Sequence, residues 1–169
     1  SKILSDDPEN IPGEICVKGV NVMKGYYRNN EATEAVLDSD GWLHTGDMGT
    51  RAADGTIFIK GRYKTMILSS NGQNIYPEEI EAKLNNMPYV AESLVIERNN
   101  RLVALVYPDY EAMDKFGVTN EELPKEMEAV LAELNKLVAP YEKVDKIQLI
   151  ANEFEKTPKR SIKRYLYNA

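Results

Sequence analysis

The sequence predicts an α+β protein in two unequal pieces. Up to Tyr63, apolar residues sit in short runs broken by Gly, Asp and Asn, the pattern of strands joined by turns. Beyond Lys64, stretches with apolar residues at helical spacing alternate with strand-like runs. A small sheet covered by helices satisfies such an order, because each amphipathic helix needs a sheet face to bury its stripe. The expected organisation is a β-rich piece over residues 1–63 and a small α+β domain over residues 64–169.

In the first piece Ile15, Val17, Val22, Trp42, Leu43, Ile57, Phe58 and Ile59 mark the strand-like segments. Asn30 to Leu37 reads as a short helix between them, and Asp54-Gly55 is a hairpin turn signal. Apolar residues are few here, so this piece is expected to lean on something larger for its core. In the second piece Thr65 to Ser69 and Gln73 to Ile75 predict a small hairpin. Pro77 suits a first helical position, with Glu78, Glu79 and Glu81 in the turn that follows, and Ile80, Leu84 and Met87 recur at helical spacing. Ala91 to Arg98 and Arg101 to Pro108 read as strands paired across Asn99-Asn100. A long helix is expected from Thr119 to Val138, with Met127, Val130, Leu131, Leu134, Leu137 and Val138 as its apolar stripe. Thr119 with Glu122 makes a capping box, whereas Pro124 offers a later start. Val144 to Ile150 is the last expected strand.

A net charge of −6 argues against general nucleic-acid binding. No apolar run approaches the roughly 20 residues that span a bilayer, and no basic-then-apolar leader opens the sequence. One cysteine, Cys16, and one histidine, His44, give no disulfide, and a zinc site is not expected. A reducing cytoplasm is the expected setting. Lys156, Lys159, Arg160, Lys163 and Arg164 crowd the last stretch. By themselves they read as a solvated, frayed tail; that this segment meets phosphates is implied only by the resemblance given below.

The densest polar signal runs from Gly41 to Glu81. It holds Thr45-Gly46-Asp47, Gly61-Arg62-Tyr63-Lys64 and the loop Ser69-Ser70-Asn71-Gly72-Gln73-Asn74. Asp47 can end a strand in an Asx turn, or accept hydrogen bonds from ligand hydroxyls. Arg62 can be a surface charge, or a planar fork for fixed oxygen acceptors. Lys64 alone reads as a loop lysine, and Asn71-Gly72 as a hairpin turn. His44 and Cys16 are expected to pack rather than to catalyse.

These motifs, with Gly13-Glu14-Ile15-Cys16-Val17-Lys18-Gly19, Met23-Lys24-Gly25-Tyr26-Tyr27-Arg28-Asn29 and Lys156-Thr157-Pro158, give the sequence a family resemblance. It resembles the junction of the large and small domains in the adenylate-forming (AMP-binding) superfamily, and most of all a long-chain fatty acid–CoA ligase. The resemblance implies a C-terminal fragment holding the end of the large domain and a mobile lid. The lid belongs to an enzyme that uses ATP, Mg2+ and coenzyme A to convert a fatty acid to its thioester. It implies that Asp47 and Arg62 bind the nucleotide, that Lys64 is the hinge, and that Gly72 lies against CoA. The family commonly ends in Pro-Lys-Thr-x-x-Gly-Lys, whose last lysine is catalytic. Here Arg160 stands at the glycine and Ser161 at the lysine, which leaves Lys163 and Lys159 as the substitutes. No metal ligands and no nucleic-acid partner are implied. The partner is the missing N-terminal large domain, and a peripheral membrane contact of the whole enzyme stays open. The phosphate loop, adenine-binding strands and acyl pocket are absent from this sequence, so the fragment alone is expected to be inactive. Two alternatives remain: an enzyme that loads a carrier protein, and a lid-like module that binds without catalysis.

Overall fold

The computed structural model describes residues 1–167. The chain divides into two compact units, the first ending at Met66 and the second beginning at Ile67.

The first unit is a four-stranded antiparallel sheet in sequence order. Its strands are β1 (Lys2–Leu4), β2 (Gly13–Val17), β3 (Leu43–Arg51) and β4 (Ile57–Arg62). Asp54-Gly55 forms the β3–β4 turn as expected, with Gly55 N–H donating to the Ala52 carbonyl. Between β2 and β3 lies α1 (Asn30–Glu34), capped by Asn29 Oδ1, which accepts from Ala32 N–H at 3.0 Å. The helix is shorter than expected. Asp38 Oδ1 accepts from the Asp40 and Trp42 amides, which draws the chain into a turn, and Val36 C=O accepts from His44 N–H. Ile3, Ile15, Cys16 and Met48 are the buried apolar side chains of this unit, whereas Val20, Tyr27, Phe58, Ile59 and Tyr63 are exposed. Burying a side chain as large as Phe58 or Ile59 stabilises by about 1.5–3 kcal/mol, so considerable burial energy is unused on this sheet.

The second unit opens with the expected hairpin, β5 (Ile67–Leu68) and β6 (Asn74–Ile75), followed by α2 (Pro77–Leu84). Strands β7 (Val90–Arg98) and β8 (Arg101–Pro108) pair antiparallel across Asn99 and Asn100, and β9 (Val144–Leu149) lies parallel to β8. A parallel neighbour needs a long crossover. It is supplied by α3 (Tyr110–Phe116) and α4 (Leu123–Leu137). Ile80 and Leu84 of α2, with Leu123, Met127, Val130 and Leu134 of α4, pack on Val95, Ala104 and Val106.

One open choice is resolved in favour of the later start, and three features differ from expectation. Thr119 and Glu122 do exchange hydrogen bonds, but they close a turn ahead of α4, and the helix begins at Leu123 with Pro124 in its first turn. Leu137, the last helical residue, is exposed at the rim of the stripe. Helix α3 lies outside the expected elements; Tyr110, Met113 and Phe116 recur at helical spacing but only Met113 is buried, and Asp109 caps the helix, accepting from Ala112 N–H at 3.0 Å. Finally, the other face of the sheet is covered by the tail. Phe154 is buried among Leu94, Ile96, Val103 and Leu105, with Ile162 and Tyr167 packed beside it.

Candidate functional site

Asp47 and Arg62 are direct cross-strand partners on β3 and β4, and Arg62 Nη1 donates to Asp47 Oδ1 at 2.8 Å. The side chains are 32% and 58% exposed for Asp47 and Arg62, so both can meet a ligand. The approach to Asp47 is built residue by residue. Gly46 takes φ +71, a left-handed turn that a side chain would resist. Its N–H donates to Glu14 Oε1 at 3.0 Å, and the other Glu14 oxygen lies 2.7 Å from His44 Nδ1. Thr45 Oγ1 donates to the Ile15 carbonyl and accepts from Asp47 N–H. Thus β2 holds the Thr45-Gly46-Asp47 turn at several points.

Cys16 is packed as expected, fully buried, whereas His44 does more than pack, because it meets Glu14. The ligand atoms of Glu14, Cys16 and His44 lie within 4.8 Å of one another, as in a small metal centre. The chemistry argues for hydrogen bonding instead. Burial, then the Glu14 charge, push the Cys16 thiol up. The 2.7 Å separation of His44 Nδ1 from Glu14 Oε2 is a hydrogen-bond distance. Two such ligands around tetrahedral zinc would sit about 3.3 Å apart.

Lys64 follows Arg62 in a short 3-10 turn, Tyr63–Thr65, and is exposed. In the second unit Gly72 closes the β5–β6 hairpin. Gly72 N–H donates to the Ser69 carbonyl and Ser69 N–H to the Gln73 carbonyl, both at 2.9 Å. That is the pattern of a turn followed by a glycine bulge, and Gly72 has φ +80. A Cβ at Gly72 would meet nothing within 4 Å.

The tail is an ordered hairpin. Lys156 bridges Ile162, and Thr157 N–H donates to the Ser161 carbonyl at 2.8 Å. Arg160, at the position where the resemblance expects glycine, takes the left-handed φ of +63. Lys159 is exposed on this turn. Lys163 lies beyond it, with Nζ donating to Glu155 Oε2 at 3.1 Å, a bond that raises its pKa. Residues 64–169 match the model of the AMP-binding enzyme C-terminal domain.

The chain belongs to this family.

Over 92% of its length it is 36% identical to 4-coumarate-CoA ligase 2 of Narcissus pseudonarcissus, and over 76% it is 40% identical to long-chain-fatty-acid–CoA ligase 5 of Mus musculus. It spans 26% of the first relative and 20% of the second. The Bacillus subtilis o-succinylbenzoate CoA synthetase in complex with AMP superposes on 99% of the chain with a TM-score of 0.75 at 28% identity, and the chain covers 33% of that structure.

In this AMP-binding C-terminal chain, Asp47, Arg62 and Lys64 fall in the first unit, and Gly72, Lys159 and Lys163 in the second. The sequence did not disclose Glu14 and His44 as the support beneath Asp47, since 30 residues separate them. Nor did it disclose the pairing of Arg164 with Glu81, across 83 residues. A carboxylate and a histidine on two separate strand-like runs were the only trace of the first pair. The second pair left none.

Proposed function

We propose that the chain is the C-terminal part of an ATP-dependent acid–CoA ligase that forms an acyl-adenylate and then a thioester. The observation that carries this reading is the half-exposed Asp47–Arg62 pair on a braced turn. Asp47 Oδ2 is left to accept from the two adjacent hydroxyls of a ribose, and Arg62 orients the carboxylate. In the first step a substrate carboxylate oxygen bonds to the α-phosphorus of ATP, and the bond to pyrophosphate breaks. In the second step the CoA sulfur bonds to the acyl carbon and AMP leaves. Negative charge grows on phosphate oxygens in the first step, and a fixed cation there lowers the barrier. Lys163 and Lys159 of the tail are the cations we propose for this role, Lys163 once it releases Glu155. Mg2+ would accompany ATP, and we assign no residue of this chain to it. Gly72 leaves room for a thin pantetheine arm, and Lys64 is the pivot between the two steps.

Within the acid class we propose a long-chain fatty acid. The closing Ile162-Lys163-Arg164-Tyr165-Leu166 run supports it, and fatty-acid ligases stand among the relatives beside 4-coumarate ligases of similar identity. Phe58, Ile59 and Tyr63, exposed on the first unit, are the surface we propose for the large domain. The test uses the full-length protein that carries this chain. ATP, CoA and palmitate should give palmitoyl-CoA, AMP and pyrophosphate at a higher kcat/KM than 4-coumarate does. Asp47→Ala should weaken ATP binding by about 10–100-fold, the value of one or two hydrogen bonds to a charged group. Unchanged ATP affinity removes Asp47 from the site, and preference for 4-coumarate removes the fatty acid.

A further inference from the structure

The tail reaches the sheet by two arms. The first carries buried Phe154, whose ring meets Tyr167 edge-on at 5.2 Å, and Lys156, which pairs with Glu92 of β7 at 2.6 Å. The second carries Ile162, packed in the same apolar cluster, and Arg164. Arg164 Nη1 and Nη2 both donate to Glu81 Oε1, at 2.7 and 2.9 Å, and Glu78 lies 3.7 Å away. The same Glu81 oxygen accepts from the Val95 amide of β7 at 2.6 Å. Glu81 belongs to α2, whose apolar face packs on the opposite side of the sheet from the tail. Arg164 therefore ties the tail to α2 around the edge of β7. With side chains 19% and 13% exposed for Arg164 and Glu81, the pair is shielded, unlike the surface pairs of this chain. A shielded, two-pronged pair resists solvent screening and fixes an angle as well as a distance.

We propose that Arg164 and Glu81 are positioning residues that hold the Thr157–Ser161 turn, with Lys159 and Arg160 on it, in one fixed pose on the second unit. Neither touches the reacting atoms. They act through the turn, so a cation is delivered by movement of the whole unit rather than by search of a loose tail. The link to the adenylation step rests on the ligase reading above. The pose itself does not.

Two measurements separate them. In this chain, hydrogen exchange is followed at the Thr157, Arg160 and Lys163 amides, all hydrogen-bonded within the tail. Arg164→Gln should speed their exchange by about tenfold or more, as expected when local opening becomes about 1.4 kcal/mol easier. Amides of β8 should be unchanged, which excludes loss of the unit's fold. Arg164→Lys, which keeps the charge but not the fork, should fall between. If β8 also opens in Arg164→Gln, Glu81→Gln replaces it, because the arginine retains Glu78. Unchanged tail exchange in a folded variant overturns the proposal. In the full-length protein, Arg164→Gln should cut ATP–pyrophosphate exchange by about tenfold. Thioester formation from supplied acyl-adenylate should stay within about twofold, the split expected when one step alone uses the tail. Equal loss of both steps overturns the positioning role. A wild-type protein with no ligase activity sinks the ligase reading, and the exchange measurement still decides the pose.

Discussion

Replacing Gly72 with alanine tests the loop where backbone geometry and proposed ligand contact meet. Gly72 has φ +80, and an L-residue in a left-handed conformation costs roughly 1–2 kcal/mol. No steric cost adds to this, because a Cβ there has nothing within 4 Å. Alanine also restricts the unfolded chain, which offsets about 0.4–1 kcal/mol. The net loss is about 1 kcal/mol, or about 2–4 °C in Tm for a chain of this size. Thermal melting of the chain by circular dichroism reads that shift. The functional arm is run in the full-length protein by timing adenylate formation and thioester formation separately. Adenylate formation should hold within about twofold, while thioester formation falls by about tenfold or more as the new methyl enters the path of a narrow ligand. A Tm loss well beyond 4 °C would show that the loop is crowded rather than open. Equal slowing of both steps would show that Gly72 serves the fold and not CoA.

Three further outcomes are expected. Leu134→Ala removes a fully buried residue of the α4 stripe and should cost about 2–5 kcal/mol in urea unfolding; a loss below about 1 kcal/mol would contradict the packing described. Burial pushes the Glu81 carboxyl up to about 7, with Arg164 and the Val95 amide pulling it down and Glu78 pushing it further up. Its folded pKa exceeds its unfolded value of 4.5, so its contribution is fully present below pH 4.5 and is lost as pH rises through about 7. Wild-type stability relative to Glu81→Gln should therefore fall across that window, by about 3 kcal/mol at most, and a rise would reverse the sign assigned to burial. Lys64→Pro fixes φ at the proposed pivot and should slow thioester formation about fivefold more than adenylate formation; equal slowing would count against a pivot.

The elements read best from sequence were those whose own periodicity determines them. Strands β7 and β8 announce themselves by continuous apolar runs around Asn99-Asn100, and α4 by Met127, Val130 and Leu134 on one stripe. The Asp47–Arg62 pair was half legible. Two glycine-flanked polar sites straddle the Asp54-Gly55 turn, and a hairpin through that turn brings them into register. What escaped depends on contacts far apart in the chain. The tail's charge density read by itself as a solvated end, and only the resemblance pointed it at phosphates, yet its order comes from Phe154 entering a sheet face formed some 50 residues earlier. Helix α3 escaped for the opposite reason. It is seven residues long, its limits rest on the Asp109 cap and Gly117, and of Tyr110, Met113 and Phe116 only Met113 is buried.

One of the two outer strands of the second unit's sheet, β7, has consequences for solubility. An unshielded margin of backbone amides invites a neighbouring molecule to add a strand of its own. By occupying the Val95 N–H, the Glu81 carboxylate removes one such docking point, and the arginine drawn over it adds bulk and charge along the same border. Cutting that tie would expose adhesive backbone as well as loosen the tail, so clumping at high concentration is the side effect to watch for in any variant of the pair.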